Sequence, residues 1–313
     1  MSASRWTAQN VRHAAGFALG YGGNPAARVY ESIGPAFFLA PAPGWLNLGL
    51  WEGTGTEDEA PTAVRRLVER VAAPLPQGGS VVDVGNGLGA QDPVIADVVR
   101  PSNLIVVNVT EAQLTAGRHR LDAAKARPVV GDATRLPLRD GCADGVICVE
   151  AAFHFSSRRV FFEEAFRVLR PGGILSISDV PAQRMPRTPG ELVAGVGQLR
   201  LWGLRVSSAV SAERIGAEVE AAGFVDVSSE LVGSRVIEPA LNLVGARLRA
   251  PNPLPVSQRL AAALFIRHVD LLWRRGLIEY LLLSARKPER SASLASIRRT
   301  LAVSVNSRVR AGR

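Results

Sequence analysis

The chain has 313 residues, 47% of them hydrophobic and 21% charged, which is the composition of a globular protein with one large domain or two small ones. Its two cysteines, Cys142 and Cys148, form neither a disulfide framework nor a metal-ligand cluster, so we expect no metal site and a reducing, cytoplasmic environment. We find no signal-peptide pattern and no apolar run near the ~20 residues that span a bilayer, so we expect no stable membrane insertion.

The formal net charge of +9 is concentrated at one end of the chain. Residues 286–313 hold eight basic residues and one acid, so they account for +7 and leave +2 for everything else. A basic end rich in Ser and Ala is most often solvated, and we interpret residues 291–313 as a basic flexible tail. Contact of this tail with a polyanion or a membrane surface is the minority interpretation.

Residues 1–76 are predicted to form an N-terminal helical cap, because they show helical patterns and no convincing strand. Residues 11–19 and 26–33 have the pattern of short helices. An aromatic stretch, WLNLGLWEGT, begins at Trp45 and forms either part of the core or the wall of a pocket. Residues 59–73 then place apolar side chains on one face at helical spacing, which predicts a longer helix.

The segment SVVDVGNGLGAQD, residues 80–92, predicts a buried strand, a tight glycine turn and the start of a helix. Glycines in such a turn let the backbone approach a ligand, which then lies at the positive end of the helix. We expect Asp92 to be the N-cap of that helix and Pro93 its first-turn proline. The glycines alone do not distinguish a dinucleotide from S-adenosylmethionine, because both classes of binding fold contain such turns.

Strands and helices alternate after this turn. Strands are predicted at residues 104–107, 128–130, 146–149 and 174–177, and helices at residues 94–99, 111–124 and 159–169. Because parallel neighbours need crossover connections, this alternation predicts an α/β fold with a doubly wound, mainly parallel sheet. The main domain is expected to span residues 77–290.

The second half of that domain is less regular. Further elements are predicted at residues 211–222 (a helix capped by Ser211), 224–231 (a strand), 258–273 (an amphipathic helix) and 277–284 (the last strand). Residues 180–210 contain several prolines and glycines and have no clear period, so we expect irregular structure there. We interpret residues 181–210 and 232–276 as substrate-lid insertions, since connections of this length are usually functional.

Three polar residues near predicted strand ends narrow the choice of ligand. Asp83 lies inside the first strand, where a carboxylate can meet an ammonium group and would repel a pyrophosphate. Asn108 ends the second strand, where side chains can hydrogen-bond ribose hydroxyls. Asp132 follows the third strand in a Gly-Asp-Ala turn, where it can accept a hydrogen bond from an adenine amino group. Together they favour S-adenosylmethionine.

Four segments within residues 80–180 carry a family pattern: VVDVGNGLGAQD, VVNVTEAQLTAGR, VVGDATRLPLRDGCADGVICVEAAFHF and VFFEEAFRVLRPGGILSISDV. In this order and spacing they resemble the class I S-adenosylmethionine-dependent methyltransferases, specifically the small-molecule branch called type 11. The resemblance implies a Rossmann-like sheet of seven strands, the last one antiparallel, and S-adenosyl-L-methionine as cofactor. It says nothing about the insertion between the last two strands.

The same resemblance implies a cofactor site. Its residues would be Asp83, Gly85, Gly87, Gly89, Asn108, Gln113, Asp132, Ala133 and Glu150. Asp83 and the glycines would surround the methionine and ribose portions, Asp132 would hold the adenine amine, and Glu150 would lie near the transferring methyl. Asn108 stands where the family usually has Asp or Glu, so its bond to the ribose would lack charge assistance. For Gln113, an ordinary position on the helix surface is an equally good interpretation.

His154 is the candidate catalytic residue. It follows the predicted fourth strand at the edge where ligands bind in open α/β sheets, and an imidazole there can take a proton from a hydroxyl or phenol. The competing interpretation is a structural histidine in an aromatic pocket with Phe153 and Phe155.

The predicted function is transfer of the methyl group of S-adenosyl-L-methionine to a small, apolar organic acceptor, a specialised metabolite or lipid-like molecule, with O-methylation slightly favoured. One alternative is a non-methylating, cofactor-dependent enzyme on the same fold, such as a cyclase. A nucleic-acid methyltransferase is a weaker alternative, because most of the positive charge is in the tail and no Asn-Pro-Pro-Tyr-type motif follows the fourth strand. The expected partner is therefore a small molecule and not nucleic acid, and a homodimer is compatible with the sequence.

Overall fold

A seven-stranded sheet forms the centre of the structure, a computed structural model that describes residues 40–201, 204, 208–251 and 256–289. Its strands are β1 (Ser80–Val84), β2 (Asn103–Asn108), β3 (Arg127–Val130), β4 (Ala143–Val149), β5 (Leu169–Asp179), β6 (Val225–Leu231) and β7 (Leu281–Arg286). They lie in the order β3-β2-β1-β4-β5-β7-β6, parallel from β3 to β5, with β7 antiparallel to β5 and β6. The predicted Rossmann-like sheet is confirmed. The expectations for residues 1–39 and for the basic tail lie outside the described residues.

Helices cover both faces of the sheet. They are α1 (Ala60–Ala72), α2 (Asp92–Val99), α3 (Glu111–Ala116), α4 (Arg118–Ala123), α5 (Arg158–Val168), α6 (Pro189–Leu201), α7 (Ala212–Ala221), α8 (Gly233–Arg249) and α9 (Val256–Arg274). Leu67 of α1 and Ile95 of α2 share a core cluster with Val81, whereas the neighbouring Val82 belongs to the cluster on the other face. Successive strand residues point to opposite faces, so β1 contributes to both cores.

Several local predictions are confirmed by the structure. Residues 146–149 of β4 are a run of buried apolar residues, as expected for a strand with helices on both of its faces. Ser211 caps α7, because its hydroxyl accepts a hydrogen bond of 3.3 Å from the backbone N–H of Arg214. The prediction that Asp92 is the N-cap of α2 is wrong. Gln91 occupies the N-cap position, and Asp92 is the first residue of the helix, where its side chain is buried.

Two other boundaries differ from the sequence prediction. The helix predicted over residues 111–124 is divided at Gly117, where the backbone lies so close to Leu88 that an added Cβ would meet its carbonyl oxygen at 2.5 Å. The last strand begins at Leu281, four residues later than predicted, because residues 277–280 are used to contact the connection after β5. Gln183 N, for example, donates to the Leu277 carbonyl at 2.7 Å.

Both predicted insertions contain helices that the sequence interpretation missed. Residues 181–210, expected to be irregular, contain α6, and residues 232–276 contain α8 in addition to α9. Pro239 lies inside α8 and has no N–H for the carbonyl of Arg235, four residues earlier. The backbone N–H of Trp51 donates to that carbonyl instead, at 2.8 Å. The proline therefore leaves a carbonyl free for one of the contacts by which α8 holds the WLNLGLWEGT segment; Asn242 Nδ2, which donates to the Thr54 carbonyl at 3.0 Å, makes another.

A buried ion pair fixes the first insertion to the sheet. Arg158, at the start of α5, donates two hydrogen bonds of 2.8 Å to Asp179, at the end of β5. The same guanidinium donates to the Ser208 carbonyl at 2.6 Å. In the part of the chain that the structure describes, no helix is both long and apolar enough to cross a membrane.

Candidate functional site

Two cavities meet at the carboxyl edge of the parallel strands. The first, which we call the turn cavity, has a volume of about 110 Å³ and is lined by residues 44–47 and by the loops after β1, β2, β3 and β4. The second, which we call the apolar cavity, has a volume of about 320 Å³ and is lined largely by α6, α8 and α9. Leu46 and Glu150 line both cavities. The two spaces are therefore adjacent at these side chains.

The glycine turn presents bare backbone to the turn cavity. Gly85, Gly87 and Gly89 have φ values of +82°, +57° and +75°, a region that favours glycine. An added Cβ on Gly85 would lie 2.5 Å from the Cβ of Ala151, so a side chain does not fit there. Gly85 and Gly87 line the cavity, whereas Gly89 shapes the turn from behind. This arrangement lets a ligand approach the main chain closely.

Asp83 does not line the turn cavity, although the sequence placed it against the ligand. It is fully buried in β1, and its Oδ2 accepts a hydrogen bond of 2.7 Å from Gln91 Nε2. Gln91 lines the cavity in its place. Asp92 is buried on the same side and accepts from Asn86 Nδ2 at 3.0 Å. Burial raises the pKa of Asp83 to about 6, and burial together with the charge of Asp83 raises the pKa of Asp92.

Asn108 and Gln113 form an amide pair on the turn cavity. The carbonyl of Asn108 accepts from the Thr110 backbone N–H at 2.9 Å, and its Nδ2 donates to Gln113 Oε1 at 3.1 Å. The carbonyl expected to accept from a ribose is therefore used inside the protein. Gln113 is buried, and its Nε2 has no hydrogen-bond partner among the described residues. β2 ends at Asn108, as expected, but the group on this wall that remains available to a ligand is the Nε2 donor of Gln113.

Asp132 and Ala133 lie together after β3 on the turn-cavity wall. The Asp132 side chain is exposed, and its Oδ1 accepts from the backbone N–H and the hydroxyl of Thr134 at 2.8 and 2.7 Å. Ala133 beside it is buried. A short turn thus holds one carboxylate in a defined orientation next to a small apolar surface, which suits the amino edge and the face of an adenine ring.

Glu150 follows β4 at the junction of the two cavities. Its Oε1 accepts hydrogen bonds from the Leu48 backbone N–H at 2.8 Å and from the Tyr280 hydroxyl at 2.7 Å. Its own backbone N–H donates to Ser178 Oγ at 3.0 Å, and its φ is +50°. Burial raises the pKa of Glu150 to about 7. The carboxyl group is therefore held in one orientation and exchanges its proton near neutral pH.

His154 lines the turn cavity but not the apolar cavity. It ends a 3₁₀ turn, Ala152–His154, and its ring centroid lies 4.3 Å from that of Phe153. Phe155 also lines the turn cavity and packs edge-on against Phe161 at 5.0 Å. His154 therefore has both the aromatic neighbours expected of a structural histidine and the position on the cavity wall expected of a catalytic one.

The described wall of the apolar cavity contains few aromatic side chains. Phe153 and Phe265 line it, whereas Trp45 lines the turn cavity and Trp51 is buried in the core near α8. Aliphatic side chains make up most of the wall: Leu192, Val196 and Leu199 from α6, Ile237, Leu241 and Val244 from α8, and Ile266, Val269 and Leu272 from α9.

Several site residues were not identified from sequence. Gln91 and Asn86 lie within the glycine segment, and their amide side chains could have indicated partners for the buried acids. Tyr280 lies 130 residues after its partner Glu150 and belongs to no recognisable motif. Leu46, in the aromatic segment, had no signal that distinguished it from Leu48 or Leu50.

The turn cavity fits S-adenosylmethionine on three features of this structure. Bare backbone at Gly85 and Gly87 allows close approach, Gln113 offers a buried donor that lacks a partner among the described residues, and Asp132 stands next to buried Ala133. We propose that these residues, with Asn108 and Gln91 on the same wall, hold the cofactor. When bound, S-adenosylmethionine supplies a methyl group that its sulfonium has already activated.

Comparison with known proteins identifies the family. A family model described as a methyltransferase domain matches residues 82–177. Erythromycin 3''-O-methyltransferase of Saccharopolyspora erythraea is 31% identical over 216 residues, which are 63% of this chain and 67% of that enzyme. The 27-O-demethylrifamycin SV methyltransferase of Amycolatopsis mediterranei is 30% identical over 257 residues, 78% of this chain and 90% of that enzyme.

A solved structure with the same fold is that of the [4+2]-cyclase SpnF. It superposes with a TM-score of 0.60 and 24% sequence identity, over 80% of this chain and 90% of that chain. The similarity to this structure shows a shared fold, whereas the two sequence relatives show the family. The chain belongs to the class I S-adenosylmethionine-dependent methyltransferases of small molecules, and its cofactor is S-adenosyl-L-methionine.

Proposed function

We propose that this methyltransferase transfers the methyl group to a hydroxyl of a bulky, apolar specialised metabolite. The observation that carries the proposal is the apolar cavity, which at about 320 Å³ is larger than the turn cavity and meets it at Leu46 and Glu150. An acceptor in the apolar cavity would reach the methyl group through that junction. Holding the two reactants in line is most of what catalysis requires here, because the methyl is already activated.

The charges around the apolar cavity argue against an acceptor that carries a phosphate or carboxylate. Arg158 on its wall is neutralised by Asp179, and Arg184 is neutralised by a two-point contact with Glu191 at 2.9 and 3.0 Å. Among the wall residues that the structure describes, no other arginine or lysine remains to bind a phosphate or carboxylate. The rest of the wall is mainly aliphatic, so burial of apolar surface would supply most of the binding energy.

The relatives support an oxygen as the attacked atom. One of them is named for methylation at the 3'' oxygen of erythromycin, and another for its action on 27-O-demethylrifamycin SV. Both names specify an oxygen of the acceptor as the methylated atom. We therefore propose a hydroxyl as the acceptor group for this chain.

We also propose that the two insertions are substrate lids. Residues 181–210 and 232–276 contain α6, α8 and α9, which supply most of the apolar wall. Residues 77–290 would then form the methyltransferase domain, with residues 1–76 as its N-terminal cap. This division assigns cofactor binding to the parallel strand ends and acceptor choice to the lids.

The proposal is tested by incubating the purified chain with methyl-labelled S-adenosylmethionine and either 27-O-demethylrifamycin SV or an erythromycin with a free 3''-hydroxyl. We expect label in at least one product, with a mass increase of one CH₂ and the methyl on oxygen by NMR. S-adenosylhomocysteine binding, measured by calorimetry, controls for folded enzyme. Binding without labelled product from any hydroxylated apolar acceptor would contradict the proposal. An unlabelled, rearranged product would instead indicate the cyclase alternative.

A further inference from the structure

The inference concerns Glu150 and deepens the proposed function, on which it rests. Glu150 is the only acidic residue on the described wall of the apolar cavity, and it also lines the turn cavity. An acceptor hydroxyl directed towards the methyl group must therefore pass this carboxyl. His154, the sequence candidate for the same role, lines only the turn cavity.

The surrounding structure holds Glu150 from three elements. Leu48, in the segment before α1, and Tyr280, just before β7, both donate to Oε1. Ser178 of β5 accepts from the Glu150 backbone and also hydrogen-bonds Tyr280. Because both side-chain bonds end on Oε1, Oε2 is the oxygen left for a substrate. The φ of +50° is rare for a residue with a long side chain, and such strain often occurs at functional sites.

Burial and one nearby charge favour the protonated form of Glu150. Burial is the main cause, and the charge of Asp179 adds to it, although Arg158 compensates much of that charge. The Leu48 and Tyr280 hydrogen bonds act in the opposite direction. The resulting pKa of about 7 suits a group that both takes up and releases a proton at neutral pH.

We propose that Glu150 is the general base for methyl transfer and that Tyr280 is the residue that positions it. The acceptor oxygen forms a bond to the methyl carbon, and the carbon–sulfur bond breaks with its electron pair remaining on sulfur. The hydroxyl proton moves to Glu150 Oε2 and is then released to solvent. Tyr280 touches neither reactant and acts through Oε1.

The first test replaces Glu150 without removing its contacts. In Glu150→Gln the amide carbonyl still accepts from Leu48 and Tyr280, but the side chain cannot take a proton. With 27-O-demethylrifamycin SV as acceptor, or the erythromycin probe if that is the one methylated, we expect kcat to fall about 10²- to 10⁴-fold. The affinity for S-adenosylhomocysteine should stay within about threefold. Glu230→Gln, at an exposed acid on β6, is the control and should match the wild type.

The second test uses Tyr280→Phe, which keeps the carboxylate but removes a hydrogen bond that lowers its pKa. The pKa of Glu150 should rise, so the acid limb of the kcat/KM profile should move to higher pH while most of the plateau rate is kept. In protein labelled with ¹³C at glutamate carboxyls, one resonance should titrate near pH 7. That resonance should be missing in Glu150→Gln and should titrate at higher pH in Tyr280→Phe.

The possible results separate this inference from the proposed function. If the wild type methylates an acceptor but Glu150→Gln does so at the same rate, the inference is wrong. Loss of the acid limb in His154→Ala, with the limb kept in Glu150→Gln, would assign the proton to His154 instead. Absence of a glutamate carboxyl that titrates near pH 7 would also overturn the inference, even if no acceptor were methylated and the proposed function itself failed.

Discussion

At the scale of single residues, the buried carboxyl pair behind the glycine turn makes stability depend on pH. Asp83 and Asp92 are both fully buried, and each receives one amide hydrogen bond, from Gln91 and Asn86. Two neighbouring carboxyls that are removed from water do not both ionise readily. At low pH the pair is protonated and compatible with burial, whereas at neutral pH a negative charge must be kept inside the core.

We predict that the wild type loses stability as the pH rises through about 6. The folded-state pKa of Asp83 is about 6, above its ordinary value of 3.8, so the folded state binds protons more tightly than the unfolded state. The resulting stabilisation is complete below the unfolded pKa and disappears above the folded pKa. A shift of this size corresponds to at most about 3 kcal/mol in the free energy of unfolding.

Asp92→Asn should reduce this dependence, because the asparagine can donate permanently to Asp83 and lower its pKa. Urea unfolding at several values between about pH 4 and pH 8, which covers the range between the unfolded and folded pKa values of Asp83, measures the effect. Asp97→Asn, at an exposed acid of the same helix, is the matched control and should follow the wild type. A slope identical in all three proteins would contradict the prediction. The pKa of Glu150 is also raised, so the stability of Asp92→Asn should still fall with pH, but less steeply than that of the wild type.

At the scale of elements, continuous apolar strands could be predicted from sequence, whereas helices of mixed environment could not. The strands β1, β2 and β4 are buried on both faces, so their sequences are apolar runs that a simple pattern detects. In α6, Leu192 and Val193 are 55% and 64% exposed while Ala194 is buried, so its apolar residues follow no single face. In α8, Pro239 interrupts the helical hydrogen bonds, and the backbone N–H of Trp51, in the loop before α1, donates to the carbonyl that the proline leaves without a helical donor.

Helix α6 provides a test of the acceptor pocket. Gly195 lines the apolar cavity, and the nearest atom that an added Cβ would meet is Cγ of Pro186, at 3.8 Å. Gly195→Leu should therefore fold well, with a helix propensity gain of up to about 1 kcal/mol, but should fill part of the cavity. We expect at least about a tenfold loss of kcat/KM for a bulky acceptor, the equivalent of about 1.4 kcal/mol, with unchanged binding of S-adenosylhomocysteine.

The matched control is Gly190→Leu in the same helix. Gly190 is exposed, has open space around it and does not line the cavity, so this variant should keep the wild-type kcat/KM. Equal activity of both variants would show that α6 does not limit the acceptor. A lower melting temperature of Gly195→Leu would point to a packing defect and not to a filled pocket.

At the scale of the whole molecule, the order of the sheet explains which parts of the site were predictable. Residues at the ends of β1 to β4 follow family motifs in one continuous third of the chain, and the parallel order brings them to one edge. Asp83 was misplaced because a strand pattern shows which residues alternate, but not that Gln91 stands between Asp83 and the cavity. Tyr280 was missed because the antiparallel strand β7, which pairs with β5, brings it from the far end of the domain to the carboxyl end of β5 and into contact with Glu150.

The distribution of charge leads to a prediction about the tail. Lys287, just after β7, donates to the carbonyls of Phe166 and Leu169 at 2.6 and 2.7 Å, so the sheet holds the chain firmly up to this point. A deletion after Glu289 keeps these contacts, removes six arginines and leaves a net charge of +3. We expect the shortened protein to bind S-adenosylhomocysteine and to methylate its small-molecule acceptor as the wild type does. Any weak, salt-sensitive binding of the full chain to duplex DNA should disappear.

A second variant separates the charge of the tail from its length. It keeps residues 290–313 but replaces the six arginines with serine, and it should behave like the deletion in both assays. DNA binding is measured by fluorescence anisotropy at two salt concentrations, and methylation by transfer of the labelled methyl. If both variants lost small-molecule methylation, the tail would be part of the catalytic unit. If only the deletion did, the length of the tail and not its charge would be required, and the electrostatic argument would be wrong.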